Sequence, residues 1–192
     1  IADGAEAVDL GQTPGDIVVL SAADTELAML ADARAGFGGD FPTLRLANLM
    51  QLGHNMSVDL YVEAVVAKAK LVVVRLLGGR GYWPYGVDEI ARACRESGAA
   101  LAFLPGDDQP DAELAEISSL AADTQYRLWQ YCVHGGPENA RNFLAFAASL
   151  IGHETEGEAE WLEPRPLVRA GLHWPGAANT DLARVQANWI AG

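Results

Sequence analysis

Four short runs of apolar and β-branched residues recur in the N-terminal half of the chain, and they constrain the fold more than any other feature. They are Ile17–Ser21, Leu44–Asn48, Leu71–Leu76 and Ala100–Leu104. None of them alternates cleanly between polar and apolar residues. Because a strand that is covered on both faces needs apolar side chains on both, such runs are typical of a buried parallel sheet. The sequence therefore predicts a mostly parallel sheet of about four strands.

Segments with helical character separate these runs. Asp24–Ala35 is rich in Ala, Leu and Met, and the spacing of Ser21 and Asp24 is a weak capping signal at its start. Ser57 is expected to open the next helix, and a third helix is expected at about Val87–Ser97. Strands that alternate with helices form βαβ units. The predicted fold class is therefore α/β, with a doubly wound sheet followed by helices.

The character of the chain changes after the fourth run. The string PGDDQPD is an acidic, turn-rich loop, and the sequence then favours helices at about 112–120, 124–133 and 137–151. Periodicity fades beyond residue 152. We expect an α/β domain with C-terminal helices over residues 1–151, and an irregular linker with the start of a truncated further domain over residues 152–192.

The chain is strongly acidic, with a formal net charge of −13. This charge argues against nucleic acid and anionic membranes as partners, and no apolar run is long enough to span a bilayer. Residues 105–163 carry twelve acidic and two basic side chains. Such a segment is typical of a solvated surface or, alternatively, of a docking face for a basic partner.

The two cysteines, Cys94 and Cys132, lie far apart in apparent helices and outside any CxxC motif. Cysteines of this kind are usually reduced and packed in the interior. The visible N-terminus carries no apolar secretion signal. Together these features predict a cytoplasmic protein.

A glycine-rich segment, Gly78-Gly79-Arg80-Gly81, follows the third strand and precedes a helix. Loops in this position lie at the carboxyl edge of an α/β sheet, where ligands commonly bind. The glycines fit neither GxGxxG nor the Walker motif, so a nucleotide site is not predicted. The alternative is a structural turn in which glycine adopts a positive φ.

Three aromatic residues follow this loop: Tyr82, Trp83 and Tyr85. Their rings could stack on a flat macrocycle. Alternatively, they cover the edge of the sheet and the next helix. The sequence leaves both interpretations open.

Two arginines flank the same loop and are candidates to hold a carboxylate group of a ligand. Arg75 ends an apolar strand, so we expect it to be partly buried and paired with an acid. The first acids that follow it in sequence are Asp88 and Glu89. Arg80 lies within the glycine-rich segment itself.

His54 lies just before a helix N-terminus and is a weaker candidate for ligand binding or proton transfer. The chain has four histidines, and no two of them have HxH or HxxxH spacing. The spacing therefore predicts no metal site. Ser57 is interpreted as a cap because no GxSxG surrounds it, and no catalytic residue is predicted.

Long strings of the sequence are similar to the N-terminal region of the large subunit of aerobic cobaltochelatase, the CobN family. They are PTLRLANLMQLGHNMSVDLYVE (42–63), VVVRLLGGRGYWPYGVDE (72–89), LAFLPGDDQPDAEL (101–114), GGPENARNFL (135–144) and RAGLHWPG (169–176). They occur in the same order as in the family and cover nearly all of the chain. The related large subunit of magnesium chelatase is a more distant match.

The resemblance implies an ATP-dependent, ligase-type enzyme of cobalamin biosynthesis. It inserts Co²⁺ into the corrinoid hydrogenobyrinic acid a,c-diamide. In the family the large subunit binds the tetrapyrrole and the metal, while two AAA+-related partner subunits hydrolyse ATP with Mg²⁺. This chain alone is expected to bind no cofactor and to be inactive.

No metal ligand or catalytic residue of the family maps onto this sequence, so the site prediction is limited to a ligand-facing surface. Its candidate residues are His54, Arg75, Gly78, Gly79, Arg80, Tyr82, Trp83 and Tyr85. Two alternative functions remain. One is the large subunit of a magnesium chelatase-type enzyme, and the other is a stand-alone α/β module that binds a small molecule without catalysis.

Overall fold

A four-stranded, all-parallel sheet forms the centre of the computed structural model, which describes residues 6–153, 161–166, 171–172 and 180–181. Its strands are β1 (Ile17–Ser21), β2 (Leu44–Asn48), β3 (Leu71–Leu76) and β4 (Ala100–Pro105). The strand order is β2-β1-β3-β4, and all neighbours are parallel. The predicted α/β fold class is confirmed, and the strand bounds differ from the prediction only by the addition of Pro105.

Helices cover both faces of this sheet. They are α1 (Asp24–Ala35), α2 (Asn55–Ala64), α3 (Pro84–Ser97), α4 (Ala112–Ile117), α5 (Ala122–His134) and α6 (Pro137–Leu150). In the part of the chain that the structure describes, no helix combines the length and the apolar character that crossing a bilayer requires.

Alternate strand residues face the two sides of the sheet. Val72 and Val74 of β3 contribute to a core with α2 and α3. Leu71 and Val73 contribute to a second core with α1, α5 and α6. All four side chains are fully buried. The continuous apolar runs in the sequence therefore reflect two cores that share one sheet.

The start of α2 differs from the prediction. His54 is the N-cap residue, and its Nδ1 accepts the backbone N–H of Met56 at 3.1 Å. Ser57 lies inside the helix and is buried, where its hydroxyl accepts the backbone N–H of Val8 at 2.7 Å. The prediction that Ser57 opens and caps this helix was wrong, because an imidazole nitrogen also accepts a hydrogen bond at an N-cap.

Ser21 does not cap α1, although it lies close to the start of this helix. The N-cap residue is Ala23, which makes no side-chain capping bond. The Ser21 hydroxyl accepts the N–H of Ala23 at 3.1 Å and donates to Glu26 Oε2 at 2.6 Å. Ser21 therefore orients a carboxylate at the end of β1.

The helix α3 begins three residues earlier than predicted, because Pro84 occupies its first turn. It ends at Gly98, which has a φ of 78°. Cys94 is buried on this helix, and Cys132 lies on α5. Both thiols are free, as predicted, and burial raises the pKa of Cys94 to about 12.

The outer edge of β4 is covered by the segment that follows α4. Ser118 Oγ accepts the backbone N–H of Phe103, and Ser119 Oγ accepts that of Leu101, both at 2.8 Å. Leu101 also accepts the backbone N–H of Ser119 through its carbonyl oxygen at 2.9 Å. These bonds occupy groups that an open sheet edge would offer to another chain.

Much of the predicted linker 152–192 lies outside the described residues. Within it, Gly171–Leu172 and Thr180–Asp181 form a short antiparallel pair. The segment 161–166 contacts the helices, since Tyr131 donates to the carbonyl of Leu162 at 2.6 Å and Asn139 donates to that of Arg165 at 2.7 Å. Part of the region beyond residue 152 thus packs against α5 and α6.

Candidate functional site

The strand order creates a crevice at the carboxyl ends of β1 and β3. From β1 the chain crosses to β2 on one side, and β3 lies on the other side of β1. Doubly wound proteins bind ligands at such a switch point. Leu20 is in register with Val74, so Ser21 and Arg75 are the next residues along the two strands at this edge.

An ion pair between Glu26 and Arg75 lies at the switch point. Arg75 Nη1 donates to Glu26 Oε1, Nη2 donates to the carbonyl of Gly106 at 2.8 Å, and Nε donates to that of Pro105 at 3.2 Å. Ser21 donates to the other oxygen of Glu26 at 2.6 Å. The side chains of Arg75 and Glu26 are only 12% and 18% exposed. Four hydrogen bonds therefore hold this pair in one geometry.

Arg75 is partly buried and paired, as the sequence indicates, but its partner is neither of the acids that first follow it in sequence. Neither Asp88 nor Glu89 contacts it: Asp88 pairs with Arg80 and Glu89 pairs with Arg92. The reason is the alternation of β3, which directs Arg75 to the face that α1 covers, whereas the two acids lie on α3 at the opposite face.

The charges of this site act on each other in a low-dielectric environment. Burial lowers the pKa of Arg75, but Cys132, once it is deprotonated at high pH, and Glu26 counteract this effect, so that the pKa of Arg75 lies above its ordinary value. Burial and then Glu26 raise the pKa of Cys132 well above the usual range for a thiol. Arg75 is thus a permanent cation, and Cys132 is a neutral thiol at physiological pH.

A cleft of about 240 Å³ opens beside the ion pair, between α1 and the connection from α5 to α6. Its lining is mostly apolar and consists of Ala23, Thr25, Glu26, Met29, Leu30, Arg75, Tyr131, Cys132, Gly135, Gly136, Ala140 and Phe143. Such a cleft suits a small, largely apolar molecule with one polar group directed at the guanidinium. Of these residues only Arg75 was predicted from the sequence. The adjacent glycines at 135 and 136 were the available signal for the others.

Two glycines of the glycine-rich segment have the positive φ that a structural turn would require. Gly78 has a φ of 89° and Gly79 a φ of 67°. A Cβ atom on Gly79 would lie 2.8 Å from Asp111 Oδ2. The turn therefore needs glycine both for its backbone conformation and for close contact with the start of α4.

Arg80 is held by two acids on neighbouring helices. Its Nη2 lies 2.7 Å from Asp88 Oδ1, and its Nη1 lies 3.3 Å from Glu113 Oε1. Hydrogen bonds to Asp88 and then to Glu113 raise its pKa above the ordinary value. The side chain is 40% exposed, so Arg80 connects α3 and α4 at the surface.

The aromatic residues differ in their environments. Trp83 is buried and donates its indole N–H to the carbonyl of Leu52 at 3.0 Å. Tyr85 donates to Asp59 at 2.7 Å, and this hydrogen bond, with burial second, raises its pKa to about 12. The hydroxyl of Tyr82 lies 3.1 Å from Met50 Sδ. Trp83 thus belongs to the core, whereas the two tyrosines lie closer to the surface.

The predicted histidine and aromatic residues therefore lie apart from Arg75. His54, Tyr82, Trp83 and Tyr85 gather on the α2–α3 side of the sheet, where His54 caps α2. Arg75 faces the α1 side together with Glu26. The structure does not bring Arg75 and the aromatic rings into one surface.

The described part of the chain contains no cluster of side chains suited to bind a metal ion. No group of three or more His, Cys, Asp or Glu side chains there has the arrangement of a metal site.

Comparisons with known proteins identify relatives of this chain. No family model matches it. It is 49% identical over 187 residues to the aerobic cobaltochelatase subunit CobN of a Sinorhizobium species, which covers 97% of this chain and 14% of that protein. It is 44% identical over 184 residues to the CobN subunit of Pseudomonas aeruginosa, which covers 95% of this chain and again 14% of the relative.

A solved structure shows the same relationship. The catalytic subunit of cobaltochelatase from Mycobacterium tuberculosis superposes with a TM-score of 0.60 at 27% identity, over 88% of this chain and 13% of that one. The resemblance predicted from the sequence strings is therefore confirmed: over 95% or more of its length the chain is similar to two CobN subunits of aerobic cobaltochelatase, and it spans about 14% of the length of these relatives.

Proposed function

We propose that this chain is a domain of the large subunit of an aerobic cobaltochelatase. The complete enzyme inserts Co²⁺ into hydrogenobyrinic acid a,c-diamide and hydrolyses ATP in the process. The observation that carries the proposal is the identity of 49% and 44% to two CobN subunits over nearly the whole chain. The reaction itself belongs to the complete subunit and its partners.

We further propose that ATP is hydrolysed by AAA+-related partner subunits and not by this domain. The turn after β1 supports this view. Its sequence is Ser21-Ala22-Ala23, whereas a dinucleotide-binding fold has a glycine fingerprint at this position. The hydroxyl of Ser21 donates a hydrogen bond to Glu26. The turn after β3 contains glycines, but the carboxylate of Asp111 lies next to Gly79 and would repel a phosphate bound there.

The domain contributes a rigid scaffold to the large subunit, and the Gly78–Tyr85 loop is part of that scaffold. Its arginine is bound to two acids, its tryptophan is in the core, and one tyrosine is bound to Asp59. A corrinoid-facing role for this loop is the alternative. It would require the corrinoid to meet Tyr82 and Arg80 from the solvent side.

A chimera tests the proposal. The homologous segment of the Sinorhizobium CobN subunit is replaced by this sequence, and Co²⁺ insertion into the corrinoid is measured with the ATPase subunits. We expect activity within about tenfold of the parent subunit, because half of the residues are shared. A matched chimera with Val73→Asp, which places a carboxylate in the core, should be inactive.

Two outcomes would contradict the proposal. One is a chimera that folds, as judged by proteolysis, and yet inserts no Co²⁺. The other is insertion of Mg²⁺ into protoporphyrin in preference to Co²⁺ into the corrinoid, which would favour the magnesium chelatase alternative.

A further inference from the structure

A second cleft, here named the α4–α5 groove, lies between the end of β4 and the helices α4 and α5. It is lined by Phe103, Leu104, Pro105, Pro110, Asp111, Ala115, Ala122, Gln125, Tyr126 and Trp129. Its volume is about 190 Å³, which exceeds the roughly 150 Å³ of an apolar cavity that holds a benzene ring. The groove can therefore accept one large apolar side chain.

Two aromatic rings form one wall of the groove. Trp129 is 7% exposed and donates its indole N–H to the carbonyl of Asp107 at 3.0 Å, so its position is fixed. Tyr126 lies edge-to-face with it, at a centroid distance of 6.1 Å, and is 53% exposed. A fixed aromatic ring beside an exposed one is typical of sites that anchor a partner's side chain.

Acidic side chains lie at the groove, since Asp111 lines it and the loop between the lining residues Pro105 and Pro110 carries two more aspartates. Asp107 and Asp108 belong to the loop after β4, and their carboxylates accept hydrogen bonds from Gln109. Asp111 caps α4 by accepting the N–H of Leu114 at 3.0 Å. Among the described residues, no basic side chain forms an ion pair with these three aspartates. The groove therefore has a negative rim, although Asp107 also interacts electrostatically with Arg75 on its other side.

We propose that the α4–α5 groove docks a basic protein segment, which inserts one apolar side chain beside Tyr126 and places Lys or Arg against Asp107 and Asp108. Opposite charges at the rim would direct the segment and fix its register, while the inserted side chain would supply most of the affinity. Nucleic acid and anionic lipid do not fit this rim, because both are negatively charged.

A second copy of this chain is a poorer occupant. Each copy carries a net charge of −13, and two copies that meet at this face would bring like charges together. The groove is separate from the cleft beside Glu26 and Arg75 and shares no lining residue with it.

Calorimetric titration of the full chain with three synthetic peptides tests this inference. KKFLKK carries apolar anchors between basic residues, EEFLEE reverses the charge, and KKSGKK lacks the anchors. We expect binding of KKFLKK that weakens as the ionic strength rises from about 0.02 M to about 0.3 M, because salt screens the rim charges. The other two peptides should bind at least about tenfold more weakly.

Variants of the chain locate the binding to the groove. Ala115 lines the groove and is exposed, so Ala115→Trp should fill it and weaken KKFLKK binding about tenfold or more, with unchanged circular dichroism. Tyr126→Ala should act in the same direction. Because Tyr126 is exposed, its replacement should leave the fold intact, so weaker binding would report on the groove itself.

A charge-matched pair of double variants separates the rim from the overall charge. Asp107→Asn with Asp108→Asn should weaken KKFLKK binding and its dependence on salt. Asp32→Asn with Asp40→Asn removes the same charge beside β2, at the far edge of the sheet, and should change neither. Absence of KKFLKK binding, equal binding of EEFLEE, or no effect of Ala115→Trp would each overturn the proposal. Self-association of the chain through this face, seen by sedimentation and lost in Ala115→Trp, would overturn the choice of a basic partner.

Discussion

Glu26 and Arg75 are 49 residues apart in the chain, yet their side chains form an ion pair that connects the first turn of α1 to the end of β3. Both are largely shielded from solvent. The crossover from β1 through α1 brings the carboxylate to the edge of the sheet, where Ser21 and two backbone carbonyls complete the network. Disruption of either charge should therefore affect the whole switch point.

Removal of one member of this pair should be costly. Arg75→Met and Glu26→Gln each leave an uncompensated buried group, and we expect a loss of about 3 kcal/mol in the free energy of unfolding in urea. The double variant should lose clearly less than the sum of the single ones, because it leaves neither charge alone. Additive losses would contradict this view.

Asp123→Asn is the control for that experiment. It breaks an ion pair with Arg127 whose side chains are 70% and 38% exposed. Exposed pairs of this kind contribute about 0–1 kcal/mol. If Asp123→Asn lowered the free energy of unfolding as much as Arg75→Met, burial would not be the reason for the large effect at Arg75.

Two glycines of the same loop should differ in their tolerance of alanine. At Gly79 the backbone has φ 67° and ψ −164°, a region that is nearly restricted to glycine, and a Cβ atom would lie 2.8 Å from Asp111. Gly79→Ala should cost about 1–3 kcal/mol in urea unfolding. At Gly81 no atom lies within 4 Å of the added carbon, so Gly81→Ala should stay within about 0.5 kcal/mol of the parent. Equal effects at the two positions would contradict the turn geometry.

The sequence predicted the parts of the fold that depend on local pattern. The four strands are evident because both faces of each are buried, which makes Leu71 to Val74 continuously apolar. The start of α2 was missed because capping by His54 depends on a nitrogen that the sequence does not orient. Glu26 was missed as the partner of Arg75 because only the strand order places α1 beside β3.

At the candidate site, too, the local backbone conformation was predictable from the sequence, whereas the tertiary placement of side chains was not. Positive φ at Gly78 and Gly79 could be predicted because glycine has no Cβ atom, and both residues have it in the structure. Arg75 is separated from the aromatic residues because strand alternation directs its side chain to the face covered by α1, whereas Tyr82, Trp83 and Tyr85 follow the strand and pack on the α2–α3 side. A string such as RLLGGRGYWPYG therefore combines residues of two different surfaces.

In the proposed large subunit, Arg80→Ala should leave corrinoid binding nearly unchanged. The guanidinium is already committed to Asp88 and Glu113, so a ligand carboxylate would have to displace one of them. Arg92→Ala, which removes a surface arginine bound to Glu89 and Glu96, is the matched control. A dissociation constant raised about tenfold or more by Arg80→Ala alone would restore the ligand-facing interpretation.

Stability in acid should depend on Asp16, which joins the starts of three strands. Its carboxylate accepts the hydroxyl of Thr43 at 2.6 Å and the backbone N–H of Thr43 at 2.9 Å, and lies 3.0 Å from Lys70 Nζ. The Thr43 hydroxyl first, and then Lys70, lower the pKa of Asp16 to about 2. A lowered pKa in the folded state means that the carboxylate stabilises the fold above the ordinary pKa of about 3.8 and that this contribution is lost as the pH falls towards 2.

Asp16→Asn should therefore lower the free energy of unfolding at neutral pH by about 1 kcal/mol, after allowance for screening by solvent, and by progressively less below pH 4. Urea unfolding at a series of pH values from about 2 to 7 measures this difference, and Asp40→Asn, an exposed aspartate before β2, is the control. The difference between parent and Asp16→Asn should narrow as the pH falls, whereas the Asp40→Asn curve should stay parallel to that of the parent. A constant difference for Asp16→Asn would show that the hydrogen bonds of Thr43 do not depend on the charge of Asp16, and that another carboxylate controls the acid limit of the fold.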